Sequence, residues 1–160
     1  MILSSGTVGA ALEGSLLGVP AFASSMALPE ESFEEIRKNM GKVEGEISNS
    51  LRNSAKATAS YAKEWIKYPE SEGLSVHNLN FPHNFDGKEE PILSFAGSLR
   101  LGSLFPKVKN QNYHQLEYRP EWLKQKEPEI GSDLWVLNHG KPSVSRLDFA
   151  DISGRKHLEP

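Results

Sequence analysis

The stretch Ser5-Gly6-Thr7-Val8-Gly9-Ala10-Ala11-Leu12-Glu13-Gly14, followed by Leu17-Gly18-Val19-Pro20-Ala21-Phe22-Ala23-Ser24-Ser25, constrains the fold more than any other. A Ser or Thr ahead of an apolar-periodic segment opens a helix. Val8, Ala11, Leu12, Ser15 and Leu16 then recur at helical spacing, so one stripe faces a sheet. Gly18 suits the helix end, Pro20 forbids continuation, and Ala21-Phe22-Ala23 reads as a short buried strand. Backbone N–H groups and hydroxyls converging at a helix start form a ready anion site. Ser5, Gly6 and Thr7 are therefore the first candidates for contacting a phosphate. The residues alone leave an alternative open, because a tight helix–sheet contact would equally explain Gly6, Gly9 and Gly14.

Downstream, Ser32-Phe33-Glu34-Glu35 has the capping-box pattern, which predicts a short helix from Phe33 to Met40 ending at Gly41. Ile47, Leu51, Ala55, Thr58, Ala62 and Trp65 recur at three or four residues, predicting an amphipathic helix over 46–68 stopped by Pro69. Leu74 to Phe81 is an extended run closed by Pro82; Val76, Asn78 and Asn80 share one face, and His77, Leu79 and Phe81 the other. The asparagine pair serves either a substrate or a strand end. Prolines, glycines and Asn110-Gln111-Asn112 break 83–130 into short pieces. Ile92–Phe95 and Leu99–Leu101 read as strands around an Ala96-Gly97-Ser98 turn, Tyr113–Tyr118 as another strand, and Glu121-Trp122-Leu123 as a short turn. Asp133–Leu137 and Ser143–Leu147 read as two strands joined at Asn138-His139-Gly140, with a polar, loosely held tail from Asp148.

Bulk properties narrow the classes. A chain of 160 residues suits one domain with a sizeable core. A net charge of −3 gives no basic field for duplex nucleic acid, although a nucleotide needs only a local positive site. The absence of cysteine removes disulfides and thiolate metal sites. No run has the form of a signal peptide or membrane span, so a cytoplasmic location is expected. His77, His83, His114, His139 and His157 lack the close spacing of metal ligands. The Glu34/Glu35, Glu89/Glu90 and Glu127/Glu129 pairs read as surface charge, and no P-loop or nucleophile elbow is present.

The opening motif resembles the SurE family (survival protein E), the metal-dependent 5'/3'-nucleotidases. Two later stretches agree in order: Val76-His77-Asn78-Leu79-Asn80-Phe81-Pro82, and Gly131-Ser132-Asp133-Leu134-Trp135-Val136-Leu137 with Gly140 and Ser143-Val144-Ser145. The resemblance runs from about Ile2 to Ser153. It implies a Rossmann-type three-layer α/β/α fold, here a C-terminal portion, with Met1-Ile2-Leu3 matching the middle of a domain. The expected division is a core at 1–82, a β-hairpin excursion at 83–130, and closing strands with a tail at 131–160. Nucleoside monophosphate as substrate, a divalent cation (magnesium or manganese), and a homodimer or homotetramer are implied too. The family's metal ligands are two adjacent aspartates, a serine and an asparagine. By the resemblance they precede the Ser-Gly-Thr turn and are expected upstream of Met1. No catalytic or metal-ligating residue of this chain can be matched to them. Ser4 stands where an aromatic is common and Arg146 where the family carries proline. Two expectations follow: a phosphomonoesterase, or a non-catalytic truncated remnant that keeps the oligomerising elements. A stand-alone anion-binding module has only the helix start behind it.

Overall fold

Alternation along residues 75–81 organises the molecule, since this strand supplies both faces of the sheet. The computed structural model describes residues 5–66, 74–98, 105–115 and 127–149. Its elements are α1 (Gly6–Leu16), β1 (Phe22–Met26), α2 (Glu30–Lys38), α3 (Gly45–Trp65), β2 (Ser75–Phe81), β3 (Ile92–Ser94), α4 (Asp133–Asn138) and β4 (Ser143–Asp148). The strands form one mixed sheet in the order β1-β2-β4-β3. β1 and β2 run parallel from Phe22↔His77 to Met26↔Phe81. β2 and β4 are antiparallel, with Val76 opposite Leu147 and Asn80 opposite Ser143, and β3 lies parallel to β4.

The two faces carry separate cores. On one, Val8 and Ala11 of α1 pack with Ala21, Ala23, Val76, Leu147 and Phe149. On the other, Leu79, Phe81, Phe85 and Val144 gather Phe22 and Met26 with Ala57 and Tyr61 of α3. Leu79 and Phe81 are fully buried, each contributing about 1.5–3 kcal/mol of transfer free energy. α4 lies on the α1 side: Ser143 and Ser145 beneath it are fully buried, whereas Leu93 on the reverse face is 80% exposed. Helix layers on both sides of a sheet make this a three-layer α/β/α fold.

Several elements match expectation. α1 ends where Gly18 takes φ +76, α3 spans 45–65, and β2 places Val76, Asn78 and Asn80 on the α1 side. Others need correction. Residues 133–138 form a helix, because Ser132 Oγ accepts from Trp135 N (3.2 Å) and caps it. The expected Asn-His-Gly hairpin turn is this helix's end, where Gly140 adopts φ +70. α2 begins at Glu30 after Pro29, so Ser32 lies within the first turn and caps nothing. Phe95 bridges to Ser132 and β3 pairs with β4; the expected partner Leu99–Leu101 lies outside the described residues. Lys107 and His114 form one isolated bridge where a strand from Tyr113 was expected, and 116–126, with the Glu121–Leu123 turn, lie outside the described residues. Asp148 belongs to β4, and Phe149 is buried with its N–H donating to Leu74 O (2.7 Å), so the chain is held past Asp148; 150–160 lie outside the described residues.

Candidate functional site

The site builds from the start of α1. Ser5 is extended (φ −78, ψ 119), and its Oγ accepts from Val8 N at 3.3 Å while its carbonyl accepts from Gly9 N at 2.8 Å. Of the four N–H groups that a helix start leaves over, those of Gly6 and Thr7 have no partner among the described residues. Both residues are exposed. The partial positive charge of the helix start adds about 0.3–1 kcal/mol for an exposed anion. A short link, 17–21, turns the chain from α1 back into β1 on the same face. The first turn of α1 therefore lies toward the C-terminal ends of the parallel strands, where ligands bind in open α/β sheets. Met1 and Ser4 lie outside the described residues.

The glycine alternative fails here. A Cβ built at Gly6, Gly9 or Gly14 meets nothing within 4 Å, so close packing on the sheet does not require them.

Polar groups continue across this face toward β4. Asn78 is 7% exposed and Asn80 half-buried; Ser145 lies opposite the first and Ser143 opposite the second. Ser94 Oγ bonds Ser145 Oγ at 2.8 Å and donates to Val144 O at 3.2 Å. Ser143 Oγ is buried without a partner. Beside them, Asp133 Oδ1 accepts from Gly97 N (2.7 Å) and Leu134 N (2.8 Å), tying α4 to the segment after β3. In the sequence, Ser143 and Ser145 entered only through the family-like closing stretch and not as site residues; their alternation with Val144 was the available signal.

The described histidines do not join this site. His77 faces α3, where Tyr61 Oη bonds its Nδ1 at 2.9 Å and the Trp65 ring lies tilted by 49° with its centroid 4.3 Å away. It is thus a buried core histidine, rather than an exposed or strand-end one. His83, His114 and His139 are exposed, and His157 lies outside the described residues. The Lys88 ammonium and N–H hold the Asp86 carboxyl below its usual range, an exposed pair at 2.8 Å in the loop after β2. A hollow of about 440 Å³ lies where α2 leads into α3, lined by Ile36, Met40, Val43 and Ile47 among charged neighbours. Among the described residues, no three His, Cys, Asp or Glu side chains come together as a metal site would need. No helix among them is long and apolar enough to cross a membrane.

A three-layer α/β/α sheet, with a Ser-capped helix start toward the C-terminal ends of its parallel strands, places the chain in the open α/β class. A family model, "Survival protein SurE", matches residues 1–98, from Met1 onward. The chain belongs to the SurE family. It is 39% identical to the 5'-nucleotidase SurE of Pyrobaculum arsenaticum over 154 residues, covering 92% of this chain and 51% of that one. The 5'-nucleotidase SurE of Methanococcoides burtonii is 34% identical over 154 residues, covering 92% and 54%. The solved SurE protein from Aquifex aeolicus shares the fold at a TM-score of 0.50 and 24% identity, covering 96% of this chain and 56% of that one. The chain thus spans about half the length of the curated relatives it matches.

Proposed function

We propose that this chain carries the phosphate-facing part of a nucleotidase-type phosphomonoesterase, acting on nucleoside monophosphates. The observation behind the reading is the first turn of α1, where the Ser5 cap leaves the Gly6 and Thr7 N–H groups available beside an exposed Thr7 hydroxyl. Its relatives' names, 5'-nucleotidase SurE, support the reaction class. In this reading Gly6 and Thr7 donate to the phosphoryl oxygens, where fixed donors hold developing charge without reorganisation. Ser5 shapes the turn through its bond to Val8 N. A divalent cation, magnesium or manganese, would polarise the phosphate and lower the pKa of an attacking water. The described residues do not by themselves supply its ligands, and the roles given to Ser5, Gly6 and Thr7 do not depend on it. A homodimer or homotetramer in the cytoplasm completes the proposal.

The test is phosphate release from adenosine monophosphate with manganese, run on the 160-residue chain and on any longer chain from its locus. Amide shifts of Gly6 and Thr7 on adding the nucleotide are read in parallel. Shifts at these two amides, weakened by Thr7→Ala, are expected, with turnover in a chain that holds the metal ligands. Silence in every chain, with unmoved amides, refutes the assignment and leaves the non-catalytic remnant standing.

A further inference from the structure

Among the described residues, neither core takes a side chain from α2, and none of the principal contacts between elements involves it. Yet the helix is amphipathic: Phe33, Ile36 and Met40 recur at spacings of three and four residues and share one face. Phe33 is 55% exposed and Met40 90%. Met40 stands just past the C-cap Asn39 at φ +53, a left-handed position that ordinarily takes glycine. The Gly41 N–H donates back to Ile36 O (2.9 Å) and fixes this turn. Ile36 and Met40, with Val43 and Ile47, form the apolar lining of the hollow of about 440 Å³ beside it. Each chain therefore carries an exposed apolar knob, Phe33, and an apolar hollow about 10 Å further along the same face.

Charge along the helix says what covers this face. Before Ile36 the sequence places Glu30, Glu31, Glu34 and Glu35; after it come Arg37, Lys38 and then Lys42. Glu34 and Arg37 bond at 2.7 Å across the change of sign. A helical partner with one sign of charge meets repulsion over half of such a surface, and a parallel copy meets it along the whole length. A second copy running antiparallel meets the opposite sign throughout, with the acidic half of each helix beside the basic half of the other.

We propose that α2 pairs with α2 of a second copy of this chain, antiparallel about a two-fold axis near Ile36, with Phe33 of each copy seated against the other's Met40 at the mouth of its hollow. The contact is isologous, so the same patch serves both chains and each knob finds a hollow. The apolar seam supplies the affinity, and the charges fix the direction. Two short helices bury less than about 1,200 Å², the weak end of specific interfaces, so the pair forms at high protein concentration and exchanges readily. The pairing depends on α2 and not on the proposed reaction. An inactive chain, or a further contact elsewhere on the molecule, leaves it intact.

The chain has no cysteine, so single substitutions report the pairing by disulfide crosslinking under a mild oxidant. A mixture of the Phe33→Cys and Met40→Cys chains crosslinks at least about tenfold faster than either chain alone, since the antiparallel register brings these two positions within bridging distance. Ile36→Cys, near the axis, crosslinks with itself. Charge reversal then tests the direction. The Glu34→Lys/Glu35→Lys chain bearing Phe33→Cys reacts slowly with the same charge variant bearing Met40→Cys, and regains the fast rate with the Arg37→Glu/Lys38→Glu chain bearing Met40→Cys. None of these four charged residues is buried, and far-UV circular dichroism checks that each variant keeps the parent's helix content. Three results overturn the proposal: Phe33→Cys reacting fastest with itself (a parallel pair), equal rates in every combination, or no recovery on mixing opposite charge variants. A parent chain that sediments as a monomer at about 1 mM also overturns it and leaves this face to a foreign helix.

Discussion

Replacing Gly9 and Gly14 by alanine separates two explanations of the opening motif. Both glycines lie inside α1, and a Cβ at either meets open space. Alanine is favoured over glycine in a helix interior, and it restricts the unfolded chain. Each substitution should therefore add about 0.4–1 kcal/mol. The sites are five positions apart on one helix, so the double variant should gain about 1–2 kcal/mol if the effects add. With a urea slope of roughly 2 kcal/mol/M, the midpoint rises by about 0.5–1 M at an unchanged slope. Thermal unfolding moves up by about 2–4 °C for each kcal/mol in a domain of this size. Far-UV circular dichroism under urea and heat reads both. Gly140→Ala is the control of opposite sign: φ is +70 there, so about 1–2 kcal/mol should be lost. A double variant less stable than the parent by more than about 0.5 kcal/mol would refute the reasoning, because the glycines would then be packed against something.

Leu79→Ala, in the fully buried centre of β2, should cost about 2–5 kcal/mol in urea unfolding. Ser143→Ala removes a buried hydroxyl with no partner and should leave stability unchanged or raise it by up to about 1 kcal/mol. A loss would show that Ser143 Oγ is bonded in solution. Ser132→Ala deletes the cap of α4 and should cost about 1 kcal/mol, with faster exchange at the Trp135 amide as the local readout. Met40 is a non-glycine residue at φ +53 and is 90% exposed, so Met40→Gly should relieve up to about 1 kcal/mol of strain.

Elements with long, consistent periodicity were legible in the sequence. The 3.6-residue recurrence of Ile47, Leu51, Ala55, Thr58, Ala62 and Trp65 gave α3, and the alternation of Val76, Leu79 and Phe81 gave both faces of β2. The α1 start was legible because Ser5 caps by a local bond. Residues 133–138 failed because Leu134-Trp135-Val136-Leu137 is too short an apolar run to set its own period. The decision fell to Ser132, whose capping bond could have been read from its place before Asp133. In α2, Pro29 sets the start three residues before the Ser32 pattern does. The partner of β3 could not be read locally, since Ile92 pairs with Ser143 far along the chain. For the candidate site, Ser5, Gly6 and Thr7 were visible as a helix opening. The serines of β3 and β4 were not, because a serine gives no sign that it is buried beneath a later helix.

The antiparallel pairing of β2 with β4 bears on how the molecule is made. β1, α3 and β2 all lie within residues 22–81, and they can settle against one another as soon as Phe81 has left the ribosome. β4 comes much later, so one whole flank of β2, from Ser75 to Asn80, waits for it through the synthesis of the intervening segment. During that interval Val76 and Leu79 border an unfilled ladder, a template for pairing between nascent chains. β4 therefore acts as a clasp: its arrival fills the open flank of β2, a long-range pairing of the kind that slows folding.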